Sequence, residues 1–135
     1  MTTQVQSLPH LDHRLIYGAD AVLSLGMGIV LMAFAGPLTA LTGWSLPPAF
    51  FLTIGALLLP WAAFNTWIAR TARPSTSVIR GNLFGDASWV IGSLGLVLIQ
   101  APSLSAIGLA LLLAQAFAVA MVFSIKLAAH RRSAR

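Results

Sequence analysis

Apolar residues in this chain form four long stretches separated by short polar segments. The stretches cover, approximately, residues 19–38, 48–68, 83–99 and 104–127. A helix that crosses a bilayer needs about 20 predominantly apolar residues, and each stretch is close to that length. None shows the alternating pattern of a barrel strand, and backbone groups in lipid must bond within the segment. The pattern predicts an all-α fold in which residues 1–135 form one membrane domain, a bundle of four transmembrane helices.

Composition agrees with a membrane protein. Hydrophobic residues make up 58% of the chain and charged residues 8%, against roughly 25% charged residues in soluble domains. The pI of about 11.6 raises the question of nucleic acid. No basic stripe with interleaved aromatic residues is present, so we expect no nucleic-acid partner. The chain has no cysteine, which excludes disulfides, thiolate metal ligands and cysteine nucleophiles.

Basic residues flank the stretches on what would be one side of a membrane. They are Arg14 before the first helix, Arg70, Arg73 and Arg80 between the second and third, and Lys126, Arg131, Arg132 and Arg135 at the C-terminal flank. The loops 39–47 and 100–103 hold none. The positive-inside rule therefore predicts that both termini are cytoplasmic. Trp44 and Trp67 suit the aromatic belts at the two interfaces.

Two further features bear on organisation. Aligning Arg14 with Arg80 also aligns Asp20 with Asp86, which suggests two parallel helical hairpin repeats. Chance matches in a Gly-, Ala- and Leu-rich chain are the alternative. The segment 33–35 has the A-x-A pattern of a signal-peptidase site, but the stretch before it is too long and too weakly basic for a leader. We therefore keep four spans.

Polar side chains within the apolar stretches are the candidate site. An acid at the bilayer centre costs about 2.5–3.5 kcal/mol on insertion scales, so Asp20 and Asp86, expected in the first turns of their helices, should face protein or a water-filled vestibule. The candidate intramembrane polar residues are Asp20, Asn65, Asn82, Asp86 and Gln115, and the candidate charge partners are Arg14, Arg70, Arg80 and Lys126. Two interpretations stay open for the acids: structural ion pairs, or binding of a proton or cation. For Gln115, at mid-span, an interhelical hydrogen bond is the leading interpretation and ligand contact the alternative.

Small residues predict where helices touch. They occur at four-residue spacing in three groups: Asp20, Ser24 and Gly28; Ser88 and Gly92; and Ala110, Ala114 and Ala118. Such ridges permit close backbone approach, either inside the bundle or between subunits. Pro60 removes one backbone bond from the second helix and predicts a kink, either static or a hinge.

No enzyme chemistry is visible. No G-x-S-x-G, H-E-x-x-H, P-loop or G-x-G-x-x-G pattern occurs. His10, His13 and His130 lie outside the spans, which argues against haem ligation. His10 and His13 with Asp12 could bind a metal, but three such residues on a tail are weak evidence for a metal site. We expect no catalytic residue, metal or cofactor.

Several segments carry a resemblance to known membrane proteins. They are residues 55–61 (GALLLPW), Asn82, residues 89–94 (WVIGSL) and residues 114–116 (AQA). They resemble small uncharacterised bacterial four-helix inner-membrane proteins, which implies a multi-pass protein of the bacterial inner membrane. In size and helix number the chain is also similar to small multidrug resistance exporters. Those carry a Glu in the first helix, where Asp20 is the nearest counterpart, and the strong charge bias here argues against a dual-topology dimer.

The sequence leaves two functional hypotheses. The leading one is a non-catalytic structural or accessory bundle that contacts the lipid bilayer and associates with itself, as a homo-oligomer, or with a larger membrane complex. The alternative is a small proton- or cation-coupled transporter that uses Asp20 and Asp86.

Overall fold

The fold consists of four long helices and one short helix. The computed structural model describes residues 12–133, which contain no strand. The helices are α1 (His13–Ala33), α2 (Ala35–Thr42), α3 (Pro48–Arg70), α4 (Thr76–Gln100) and α5 (Ala106–Ser133). The four long ones are apolar and long enough to cross a membrane. The predicted all-α bundle is therefore confirmed, and the helices indicate a multi-pass membrane protein.

Helix ends differ from the predicted spans, because polar capping turns precede the apolar residues. α1 begins at His13 and not near residue 19, since the Asp12 carboxylate accepts a hydrogen bond from the Arg14 backbone N–H at 3.1 Å. α4 begins at Thr76 and not near residue 83, since Ser75 caps it by accepting from the Val78 N–H. At the other end of the chain, α5 continues past residue 127 to Ser133.

The first predicted span, residues 19–38, is two helices. α1 ends at Ala33, and Phe34, with φ −116° and ψ 23°, separates it from α2. Gly36 and Pro37 lie in the first turn of α2 and do not end the helix. Pro37 is tolerated there because the first-turn N–H groups of a helix have no intrahelical acceptor.

The long helices pack as two hairpins. α1 packs most extensively on α3, and α4 on α5, while contacts between the hairpins involve α1, α2 and α5. We call α1 and α3, together with α2 between them, the first hairpin, and we call α4 and α5 the second hairpin. The first hairpin closes tightly at two glycines: a Cβ on Gly28 would lie 2.9 Å from the Gly55 carbonyl oxygen, and a Cβ on Gly55 would lie 2.7 Å from that of Gly28. Internal duplication stays a prediction.

The two ends of the bundle differ in charge. The start of α1, the end of α3, the start of α4 and the end of α5 form what we call the arginine end, where Arg14, Arg70, Arg73, Arg80, Arg131 and Arg132 are exposed. The opposite, neutral end holds α2 and the α4–α5 connection. There the hairpins are tied by hydrogen bonds: the Ser105 N–H donates to the Thr42 carbonyl at 2.8 Å, and the Ser45 hydroxyl donates to Gln100 Oε1 at 2.9 Å.

Trp44 is part of the core at the neutral end. It is 6% exposed and packs with Ala35, Phe51 and Leu112. Its ring stacks on Phe51 with centroids 4.7 Å apart. The expectation that Trp44 lies in an interfacial belt was wrong, because the loop before α3 folds over the bundle and buries the ring.

Large apolar side chains cover the outside of the described helices. Val22, Phe84 and Leu98 are at least 70% exposed, as expected of lipid-facing residues. Of the three predicted small-residue ridges, Ser24 and Gly28 are buried, whereas Ser88, Gly92, Ala110, Ala114 and Ala118 are exposed. The last two ridges therefore do not pack inside the bundle.

Replacing Gly28 with Val should destabilise the fold. The added side chain meets the backbone of Gly55 and the Cβ of Leu58, at 3.2 Å from the new Cβ, so α1 and α3 must separate. Overpacking of this kind costs typically 1–3 kcal/mol. Gly26→Val is the matched control, because nothing lies within 4 Å of a Cβ there. Thermal unfolding in mild detergent should show a lower midpoint for Gly28→Val than for Gly26→Val; equal midpoints would contradict the close crossing.

Candidate functional site

Lys126 lies inside the bundle, with 1% of its surface exposed. Four oxygen atoms from three other helices lie within hydrogen-bond distance of its ammonium nitrogen. The acceptors are Asp20 Oδ2 at 2.5 Å, Asn82 Oδ1 at 2.7 Å, Asp86 Oδ2 at 2.8 Å and Asn65 Oδ1 at 3.3 Å. We call these five residues the Lys126 cluster.

Every long helix contributes to the Lys126 cluster. Asp20 comes from α1, Asn65 from α3 and Lys126 from α5, while Asn82 and Asp86 share one face of α4 because they are four residues apart. From the helix rise, Asp20 lies about 10 Å and Asp86 about 15 Å from the start of their helices. The acids are therefore deeper than the first turns in which they were expected, since both helices begin earlier than predicted.

Hydrogen bonds within the cluster are nearly saturated. An ammonium has three N–H donors, which the three shortest contacts use. Asn82 Nδ2 donates to Asn65 Oδ1 at 3.1 Å, and Asn65 Nδ2 donates to the Trp61 carbonyl at 3.1 Å. The Ser24 hydroxyl donates to Asp20 Oδ1 at 3.3 Å. The Tyr17 ring adds a cation–π contact, with its centroid 4.9 Å from the ammonium nitrogen.

An apolar plug separates the cluster from the arginine end. Tyr17, Ile68, Ile79 and Leu83 are buried together there, one turn or less from the cluster residues on their helices. Phe64, Phe123 and Leu127 pack around them. This apolar layer lies beside the ion pair, so the pair formed by Lys126 and the acids is held in a low-dielectric environment.

The charges of the cluster do not balance. It holds two carboxylates and one ammonium, so it carries one negative charge when all three are ionised. An unpaired charge in a low-dielectric interior costs several kcal/mol. The cluster becomes neutral when it holds one additional proton or monovalent cation.

A cavity of about 430 Å³ begins at the cluster and runs between the two hairpins. Asp20 and Asp86 lie at its polar end, and Trp61 and Trp89 line its sides. The Trp61 ring reaches α4 because Gly85 has no side chain: a Cβ there would overlap the ring. The remaining walls are mostly aliphatic and include Leu23, Met27, Leu57, Leu58, Val119 and Val122.

Gln115 forms a second polar group on the far side of the same cavity. Its Oε1 accepts from the Trp89 indole N–H at 2.8 Å, and its Nε2 donates to the Ser93 hydroxyl at 2.7 Å. These bonds join α5 to α4, as the interhelical interpretation expected, and they also fix the Trp89 ring. Gln115 lines the cavity but does not touch the Lys126 cluster.

Four of the five candidate polar residues, Asp20, Asn65, Asn82 and Asp86, therefore come together around one cation. Of the candidate charge partners, only Lys126 forms a salt bridge with Asp20 or Asp86 within residues 12–133. Arg14, Arg70 and Arg80 are exposed and pair with neither acid. Counting Lys126 as a flanking cation was wrong, because its side chain points into the bundle.

Sequence reasoning missed Tyr17, Trp61, Trp89 and Ser93. One signal was available for the cluster itself: Lys126 is the single lysine of the chain, Asn65 and Asn82 are its two asparagines, and Asp20 and Asp86 are two of its three acids. Within residues 12–133, no three His, Cys, Asp or Glu side chains are grouped closely enough to hold a metal ion. His10 lies outside the described residues.

Lys126→Met should lower the free energy of unfolding of the bundle more than any arginine substitution does. It leaves two buried carboxylates without a counter-charge, and breaking a buried pair in this way costs about 3–5 kcal/mol. Arg131→Met is the control, since Arg131 is exposed near the end of the same helix. Adding Asp20→Asn and Asp86→Asn to Lys126→Met should restore part of the folded yield in detergent. A Lys126→Met protein as stable as Arg131→Met would contradict the buried pair.

Comparisons with known proteins add nothing to this geometry. No protein-family model, curated protein or solved structure matches the chain. Relatives therefore contribute no activity, ligand or partner. The features of the molecule that bear on function are the surplus carboxylate of the Lys126 cluster and the cavity beside it.

Proposed function

We propose that this protein is a small, non-catalytic membrane transporter that couples movement of a substrate to a proton or cation held by Asp20 and Asp86. The observation that carries the proposal is the surplus carboxylate at the polar end of a cavity between the hairpins. A purely structural ion pair needs one acid for its lysine. A second acid, in a site where charge is expensive, supplies a place for an exchangeable positive charge.

The position of the cavity supports transport. At one end the Lys126 cluster joins the hairpins, since Lys126 belongs to the second and Asp20 and Asn65 to the first. At the other end the Ser45–Gln100 and Ser105–Thr42 hydrogen bonds join them. The cavity therefore lies between two polar contacts that separate it from the two ends of the bundle. Alternating access in membrane transporters uses relative movement of two such helical units around a central site.

A structural or accessory bundle is the second candidate. It is favoured by the fact that bonds from Lys126 reach all the other long helices, so that one side chain ties the bundle together. In this role the exposed apolar faces would contact lipid, a second copy of the chain or a larger membrane complex. The exposed alanines of α5 suit close contact in a homo-oligomer.

We further propose that the arginine end faces the cytoplasm of a bacterial cell, in the inner membrane, with both termini on that side. The exposed arginines of the described residues support this orientation, and the positive-inside rule is the physical reason. The excess of basic residues at the arginine end persists when Lys126 is left out of the count, because no lysine or arginine occurs in the loops 39–47 and 100–103.

Asp20→Asn and Asp86→Asn, made singly, distinguish the two candidates. Each variant keeps one carboxylate for one ammonium, so a transporter should fold with normal yield and lose coupled proton movement by at least about tenfold. Proton movement is followed with a pH indicator trapped in proteoliposomes under an outward gradient of sodium, potassium or an alkylammonium ion.

Asp12→Asn is the matched control. Asp12 is exposed, and asparagine caps a helix as well as aspartate does, so both yield and proton movement should stay unchanged. Unchanged proton movement in both single variants would contradict the transport proposal. A large loss of folded protein in either single variant, with Asp12→Asn normal, would favour the structural candidate instead.

A further inference from the structure

We propose that the cavity binds a lipophilic organic cation, an ammonium group attached to an apolar body, with the charged group at Asp20 and Asp86 and the body between Trp61 and Trp89. This inference rests on the proposed function and names the class of its substrate. It is carried by four properties of the cavity: its charge, its walls, its volume and its opening toward the lipid-facing surface.

The charge of the polar end selects a cation. Lys126 is fully satisfied by oxygen acceptors, so it offers no free N–H to an anionic ligand. Asp86 Oδ2 and Asp20 Oδ2 bond to Lys126, while the Asp20 side chain keeps 13% of its surface exposed at the cavity. A monovalent cation there would make the cluster neutral. A divalent metal is disfavoured, because the ammonium already occupies the position between the two carboxylates.

The titratable groups that face the cluster are few. α1 contributes Asp20 and Tyr17, α4 contributes Asp86, and α5 contributes Lys126. α3 presents only the neutral amide of Asn65. A proton and an organic cation would therefore compete for the same single negative charge, and binding of the cation should release the proton.

The walls suit an apolar body with an attached positive charge. Trp61 lies against α4 at Gly85, directly beside Asp86, and Trp89 is held by Gln115. An organic cation between these two indole rings, beside a carboxylate, can gain cation–π attraction from a ring face. The volume of about 430 Å³ lies within the roughly 300–1,000 Å³ of pockets for drug-sized ligands.

The cavity is bordered by residues that reach the lipid-facing surface. Leu23 is 65% exposed, Leu57 57% and Met27 46%, and all three line the cavity. Toward the arginine end, the apolar plug around Ile68 lies between the cluster and the exposed arginines. A ligand that dissolves in the bilayer can therefore reach the cavity sideways, which favours a lipophilic cation over a hydrophilic one.

Binding of benzyltributylammonium to the protein in lipid nanodiscs tests this inference. The probe cannot lose its charge by deprotonation, and its neutral analogue, with carbon in place of nitrogen, has the same shape. Calorimetric titration should show at least about tenfold tighter binding of the cation than of the analogue, weaker binding as pH falls, and release of one proton per cation bound.

Two matched substitutions locate the site. Trp61→Leu should weaken cation binding about tenfold, through loss of cation–π contact, whereas Trp67→Leu on the same helix should change it less than twofold, because Trp67 is exposed and lines no part of the cavity. Asp20→Asn and Asp86→Asn should each abolish the proton release. An equal loss of cation affinity in Trp61→Leu and Trp67→Leu would overturn the proposed location of the binding site.

The outcomes separate this inference from the proposed function. Equal binding of the cation and its neutral analogue, together with coupled proton movement driven by sodium or potassium, would overturn the ligand class and leave the transporter standing. Absence of coupled proton movement with every cation tested would overturn the transporter. If the cation nevertheless bound with release of a proton, the site would be that of a binding protein.

Discussion

The structure depends on one ammonium group placed between two carboxylates inside a bundle that has almost no other internal charge. Lys126 joins α5 to α1, α3 and α4, so that the rotation of every long helix is fixed by where its polar residue must point. Lipid supplies no hydrophobic force between helices, and packing at Gly28 and Gly55 together with buried polar bonds must supply the specificity. Moving α1, α4 or α5 by a turn would leave a charge unpaired, and moving α3 would remove the Asn65 amide from the cluster.

The same arrangement creates the cavity. The hairpins are tied at the Lys126 cluster and at the Ser45–Gln100 bonds, and between these contacts the volume is filled incompletely. The glycine at position 85 brings Trp61 against α4 and so places an aromatic wall beside Asp86. In the proposed function, stability and cation binding therefore use the same residues: the two acids hold the lysine, and the surplus negative charge is the one that a cation would neutralise.

Hydropathy predicted the four long helices, because a span needs a length of apolar sequence that few other folds require. It could not predict the helix ends, since the turns capped by Asp12 and Ser75 are polar, or the break at Phe34. Asp20, Asn65, Asn82 and Asp86 were recognisable as costly residues in apolar segments. Their common partner was not, because Lys126 lies close enough to the C-terminal arginines to be counted with them, and only helix rotation turns it inward. Trp44 was misplaced for a similar reason: whether a loop folds over a core depends on contacts far away in the sequence.

Nitrogen NMR of the single lysine tests the central claim most directly. Protein labelled with ¹⁵N-lysine and ¹³C-aspartate, in lipid bilayers, contains one side-chain nitrogen of interest. We expect an ammonium signal with through-space contacts to the carboxyl carbons of two aspartates, Asp20 and Asp86, and resistance of Lys126 to acylating reagents until the protein is unfolded. A lysine that is acylated at the rate of a free amine in the folded protein, with no contact to either carboxyl carbon, would contradict the buried ion pair.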